Sequence, residues 1–478
     1  MSARRVPAGL EPVPGSACTA DGVTYALVST TEGRFLYASA SDRLPDARPA
    51  GGGSLHPLSP ETARALQEIF SWLVPRRIPD DGPSFGFGDR IGLATPGHLR
   101  AVRSTGVFPI IAQQSVRENT RTGRSFAEVL ADAVFGAFHE GYRGGFGADA
   151  DHLKTIDDAL EAAALGFSFF TCDPGDHVVA VESMTTDEVH ARFSALPDGE
   201  DLLSRYAGKT FIVGDGLVLR FSTEELERAV VKYGGAISHA AAMAQALNAA
   251  RPGGVDYEVS VDETEEPTAP LEHLFVALEL RHRGVDFDSL APRFVGAMEK
   301  GVDWRGDRAR FDTELHKHAL IARSVGGYRL SLHSGSDKFS LYPAIARETR
   351  GALHVKTAGT SYLVALDGIA RWDPPLFREI VAESLAAFSR DCATYHLSAD
   401  PARIPAIETL SDEALPDLVS VHDSRQALHV TYGSILRGGL AHRVFACLLG
   451  HEAEYHAALV QHFNRHLAGL EVSAHDGS

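Results

Sequence analysis

Cysteine is scarce. The 478 residues contain four, at positions 18, 172, 392 and 447, with no CxxC pair, so neither a cysteine zinc knuckle nor a dithiol centre is available. A chain this long needs no disulfide framework, and a reduced compartment is expected. Long apolar runs are missing too: no window approaches the roughly 18–20 consecutive apolar residues of a membrane span. The opening MSARRVPAGLEPVPGS has two arginines but no apolar core of signal-peptide length. Runs of Lys and Arg are also absent. The 45 basic against 63 acidic residues give a formal charge of −18, which opposes a polyanionic partner, because nucleic-acid binding rests on clustered cations. GFGDRIG (86–92) is one residue too long for GxGxxG, SLHSGSDKFS lacks Walker spacing, and no GxSxG elbow occurs. HEAEYH (451–456) spaces its histidines five apart, off a common helical face, and His456, His462 and His466 read as a solvated helix face. These absences predict a soluble, cytoplasmic protein without nucleic-acid or membrane partners.

What is present is a rhythm. GVTYALVSTTEGRFLYASASD predicts an antiparallel strand pair turning at Thr31–Gly33, and ETARALQEIFSWLVPRR a helix, so residues 1–80 read as an N-terminal cap. From there, short apolar runs alternate with helical stretches. Strands are expected at 84–89, 108–114, 144–151, 166–173, 256–263, 286–292, 328–334 and 352–357. Strands that are apolar nearly throughout and alternate with helices indicate a parallel sheet covered on both faces. Eight of them predict an α/β fold of the (β/α)8 TIM-like barrel type over 81–365, although an open doubly wound sheet gives the same alternation. An inserted helical segment is expected at about 174–254, and 366–478 forms a C-terminal helical extension containing a strand-like ALHVTYG (427–433).

Polar residues gather where these strands end. The inventory runs Asp89; Gln113 and Gln114; Asp151, His152 and Lys154; Asp173, Asp176 and His177; Asp262 and Glu263; Arg293; His333, Ser334, Asp337 and Lys338; His354 and Lys356. In a parallel barrel those ends converge on one face, where catalytic groups sit. His152, His333 and His354, beside Asp151 and Glu263, suit a divalent Zn, Mn, Ni or Fe ion, with His177 in reserve. Each histidine taken alone is equally at home hydrogen-bonded in a packed loop.

FGFGDRIGLATPGHLRA, PIIAQQSVRENTRTG, GFGADADHLKT, TCDPGDHV, SLAPRFVGAMEKGVDW, LSLHSGSDKFSLYP and HVKTAGTSYL, in this order, resemble the tagaturonate/fructuronate epimerase family from about residue 84 to 362. The resemblance implies a metal-dependent isomerase of hexuronate metabolism that interconverts D-tagaturonate and D-fructuronate. It places the catalytic base at Asp151, the opposing acid/base at Glu263 and the metal at His152, His333 and His354. Lys154, Arg293, Lys338 and Lys356 become candidates for the substrate carboxylate, and Asp89, Gln113 and Gln114 for its hydroxyls. The implied partner is a small ketohexuronate; a homo-oligomer is compatible. GAMEKG departs from the family pattern, with Met298 where a bulkier aromatic is expected.

The chemistry has its own logic. The two ketohexuronates differ at a hydroxylated carbon β to the ketone, which simple enolisation does not invert. Two routes do: transient oxidation by a bound nicotinamide, and retro-aldol cleavage with re-addition. The missing dinucleotide fingerprint favours the second, which needs a Lewis acid and two acid/base groups. Three rivals share the features: a ketohexose (tagatose/fructose) 4-epimerase, a metal-dependent aldolase and a non-catalytic sugar-acid sensor. An isomerase working through a 1,2-enediol uses similar groups.

Overall fold

Val23–Thr30 and Gly33–Ala38 pair antiparallel in the computed structural model, at the centre of a six-stranded N-terminal sheet. The structure describes residues 6–470 apart from Ala8, Ser41, Asp42, Asp80, Asp81 and His396. The helix Pro60–Ile69 buries Leu66, and Phe70 beyond it packs edge-on against Tyr25 and at a tilt against Phe138 of the barrel's helical layer. The cap thus rests on the barrel's flank.

All eight expected strands are present and parallel. Ser84–Phe87 (β1), Phe108–Ser115 (β2), Gly147–Leu153 (β3), Phe169–Cys172 (β4), Asp256–Val261 (β5), Ser289–Pro292 (β6), Arg329–Leu332 (β7) and Leu353–Thr357 (β8) close into one barrel. Their outward side chains, such as Tyr257, Val259 and Val261, join the main apolar core with the surrounding helices. Inside, Ile78, Phe108, Ile110 and Phe169 form a separate apolar plug. Above it the barrel is lined by charge, in the two-residue period that pleating imposes. β5 sends Glu258 inward, β3 Asp149 and Asp151, and β8 His354 and Lys356; all are buried or nearly so.

Two boundaries move. The 28-residue helix Thr223–Ala250 packs between Ile156–Leu165 and Pro270–His282, the place of the barrel's fourth helix. The insertion therefore narrows from 174–254 to about 178–222: helices Thr186–Ser194 and Gly199–Tyr206 and a hairpin of Thr210–Ile212 with Val218–Arg220. Thr360–Trp372 is the eighth barrel helix, so the extension starts after it. Within that extension the expected strand at 427–433 is helical, falling on His422–Val430 and Tyr432–Arg437. A closed barrel has no edge to receive a ninth strand, and Leu428 and Val430 are buried by helix packing instead.

The C-terminal histidines are corrected as well. Glu452–Ala468 packs on Thr95–Val102 and Thr360–Trp372, which buries His456 and His466; His462, half-buried, bonds Asp337 at 2.6 Å. All four cysteines are unpaired thiols. Among the described residues, no helix is long and apolar enough to cross a membrane.

Candidate active site

Consecutive residues of a strand point to opposite faces, yet Asp151 and His152 of GADADHL both enter the barrel mouth. A bulge makes this possible. Ala150 pairs with Phe170, but the next pair is Leu153 with Cys172, so β3 carries one residue more than β4 across that interval. His152 absorbs it in the left-handed region, at φ 52°, a conformation that costs energy for a side chain of this size. A second irregularity, between Ile110 and Ala112 of β2, shifts the phase so that Gln113 also faces inward and donates to Asp151 Oδ2 at 3.0 Å.

Below the mouth lies a buried charge network centred on Lys356. Its ammonium contacts Asp149 Oδ2 at 2.7 Å, Asp151 Oδ1 at 2.9 Å and Glu258 Oε1 at 3.0 Å, and donates to the Thr171 hydroxyl. Three carboxylates around one cation raise the Lys356 pKa despite its burial. Their own fates differ. Burial pushes Asp149 up to about 7 against the pull of Lys356. Burial also opposes ionisation of Asp151, but His152 and then Lys356 outweigh it and hold the carboxyl well below its usual range.

Two imidazoles stand on this network. His152 Nδ1 lies 2.8 Å from Asp151 Oδ1, and His333 Nε2 lies 2.6 Å from Glu258 Oε1. Asp262 approaches the other nitrogen, His333 Nδ1, at 3.3 Å. Burial disfavours the charged ring of His333, yet Asp262 and Glu258 raise its pKa to about 10. The rings of His152 and His333 are 4.8 Å apart, and one donor atom each from His152, Asp262 and His333 falls within 4.8 Å of the others. Imidazoles whose second nitrogen is held by a carboxylate, with the Asp262 carboxylate beside them, form the environment that borderline divalent cations take.

A cleft opens over the pair in two lobes. Asp151, Gln113 and Lys356 line the inner one. Glu263, Asp262 and Arg293 line the outer, a cavity of about 590 Å³ that Met298 also borders. His152, His333, Ser334, Lys300, Arg117 and Tyr395 border both.

The remaining expected residues lie elsewhere. His354 sits a layer down, its Nδ1 2.8 Å from the Ser84 hydroxyl, its Nε2 buried without a hydrogen-bond partner and its ring 5.1 Å from that of Phe169. Asp89 is spent on its own loop, accepting from the backbone N–H groups of Ile91, Gly92 and Ala94. The Gln114 amide is buried with no partner at either end and does not line the cleft. Lys338 donates to the carbonyls of Glu299, Val302 and Ser336, tying the loop after β6 to the loop after β7. Lys154 pairs with Asp176 at 2.8 Å, and His177 stacks on His239 at 4.3 Å.

Glu258, Arg117, Lys300 and Tyr395 are absent from the sequence-based inventory. Glu258 had a signal: in DYEVSVD (256–262) Asp, Glu, Ser and Asp fall at 256, 258, 260 and 262, one face of a strand. Arg117 follows the end of β2 by two residues, where a strand-end reading extended a little further finds it. Tyr395 comes from the extension, and no local pattern marks it.

The model of the tagaturonate epimerase family matches residues 26–470. The chain belongs to that family. It is 45% identical over 460 residues to the tagaturonate/fructuronate epimerase of Thermotoga maritima, covering 94% of this chain and 95% of that protein. Among solved structures, the glycerol-complexed fructuronate–tagaturonate epimerase of Cohnella laeviribosi matches with a TM-score of 0.93 at 37% identity over 96% of both chains. The native crystal structure of that enzyme matches equally well, TM-score 0.93 at 36% identity over 97% of both. Family membership makes this an epimerase barrel and rules against the sensor reading.

Proposed function

We propose that this epimerase interconverts D-tagaturonate and D-fructuronate by breaking and remaking one carbon–carbon bond beside a divalent cation held by His152, His333 and Asp262. The observation that carries the proposal is the grouping of two carboxylate-backed imidazoles with Asp262, flanked by Asp151 in the inner lobe and Glu263 in the outer. The nitrogen and oxygen donors fit Zn, Mn, Ni or Fe. When bound, such a cation supplies Lewis acidity toward the ketone and its neighbouring hydroxyl oxygens.

The residues supply the rest. Asp151, ionised and fixed by Gln113 and Lys356, takes the proton of the hydroxyl on the carbon β to the ketone. As that hydroxyl becomes an aldehyde, the bond to the carbon α to the ketone breaks, and its electron pair passes into the ketone fragment as an enediolate. The aldehyde turns its other face, the same carbon attacks, and the new alkoxide takes a proton from Glu263 on the opposite side. Exchange with water at oxygen resets both carboxyls. Neither buried lysine of the barrel mouth is placed to form an imine. Lys356 is a charged ammonium held by three carboxylates, and the Lys338 amine is enclosed by three carbonyls.

Asp151→Asn and Glu263→Gln are each expected to lower turnover of D-fructuronate by roughly 10²–10⁴-fold, the range for losing a general acid or base. Cation content and fold should stay as in the parent. Turnover within a factor of two of wild type in either variant removes that residue from the chemistry.

A further inference from the structure

Resting on the retro-aldol reading, we propose that Lys300 and Arg117 form an anchor for the substrate carboxylate, and that this anchor is the pivot on which the cleaved aldehyde turns. Most cations at the barrel mouth are already committed. Lys356 is committed to three carboxylates, Lys338 to three carbonyls and Lys154 to Asp176. Arg90 is buried against Glu118 and donates to the His429 carbonyl.

Lys300 and Arg117 differ from all of these. Lys300 Nζ bonds only a neutral hydroxyl, Ser334 Oγ at 2.7 Å, among the contacts described. The carboxylate nearest Arg117, Glu263, stands at the 4.0 Å limit of an ion pair. The Arg117 Nε is buried without a hydrogen-bond partner, and its guanidinium lies over the Tyr395 ring at 5.1 Å. Both side chains border both lobes, at the junction where His152 and His333 stand; Arg293 borders the outer lobe alone. Two cations without a close carboxylate, one held by an aromatic face and the other by a hydroxyl, are prepared for an anionic oxygen pair.

The substrate's connectivity gives the anchor a second role. Cleavage between the carbons α and β to the ketone leaves the carboxylate on the aldehyde half, a three-carbon 2-hydroxy-3-oxo acid. A half-turn about the bond between the aldehyde carbon and its neighbour exchanges the aldehyde faces while the carboxylate stays in place. The aldehyde oxygen then leaves the side of Asp151 for that of Glu263. An anchored carboxylate keeps the fragment in the cleft during that turn, which separates an epimerase from an aldolase. A neutral ketose, lacking the carboxylate, gains nothing from the anchor.

The test uses the full-length, cation-loaded enzyme and its Lys300→Met, Arg117→Met and Lys300→Arg variants. L-Glycerate, the reduced form of the aldehyde half, serves as competitive inhibitor, with glycerol as its neutral counterpart. L-Glycerate should inhibit wild type more strongly than glycerol. Each Met variant should weaken L-glycerate inhibition and raise KM for D-fructuronate by roughly 10–100-fold, the range for losing a hydrogen bond to a charged group. Glycerol inhibition should not move. Dihydroxyacetone released per epimerisation, followed by NMR, should rise in the Met variants and fall back in Lys300→Arg. Wild type that converts D-fructuronate, with Met variants unchanged in L-glycerate inhibition and in dihydroxyacetone release, overturns the anchor. Wild type that does not convert D-fructuronate overturns the underlying reading instead.

Discussion

Lys356→Met is expected to lower the stability of the folded chain by about 3–5 kcal/mol and to abolish turnover. The magnitude follows from what remains. With the ammonium gone, Asp149, Asp151 and Glu258 face one another in a space with almost no solvent, and losing one partner of a buried charge group costs about that much. Turnover is lost for a separate reason, because Lys356 and Gln113 together hold Asp151 in its ionised position. Adding Asp149→Asn to Lys356→Met should recover part of the stability and none of the activity, a coupling that a double-mutant cycle measures. Thermal melting and assay of wild type, Lys356→Met, Asp149→Asn and the double variant suffice. A Lys356→Met protein that melts within a degree of wild type contradicts this charge balance.

Chelation should remove all measurable epimerisation, and a single divalent cation per chain should restore it. The sharper result concerns which residues hold that cation. Metal analysis of dialysed variants should find it lost from His333→Gln and Asp262→Asn and retained at one per chain in His354→Gln. His354 instead has its Nδ1 beside the Ser84 hydroxyl and its ring against Phe169. Loss from His354→Gln with retention in Asp262→Asn favours the ligand set read from sequence over the one grouped by geometry.

That contrast shows what the chain order conceals. His333 and His354 both follow or sit in short apolar runs and look alike in the sequence. His333 lies one residue beyond β7, whereas His354 is the second residue of β8, three before its end. At about 3.3 Å per strand residue, three residues set His354 about 10 Å below the mouth. The strands themselves were legible because turn residues and helical stretches punctuate them. Polar alternation inside them was harder to see: Glu258 lies between two strong β formers, and an interior of charge breaks the expectation of an apolar core. His152 reaches the site only through a bulge, which local propensity does not announce, although GADADHL already marked the place. In the sequence the fourth barrel helix merges with the insertion, because a long connection does not declare where the chain returns. The C-terminal histidines read as solvated because the faces that bury them belong to residues more than about 80 positions away.

Conversion of D-fructuronate in deuterated buffer, followed by ¹H and ¹³C NMR with the cation present, tests the central claim most directly. The account predicts that D-tagaturonate appears with protium retained at the inverted carbon, since its C–H bond is never broken. Deuterium at that carbon in the product contradicts it and replaces cleavage and re-addition with proton transfer.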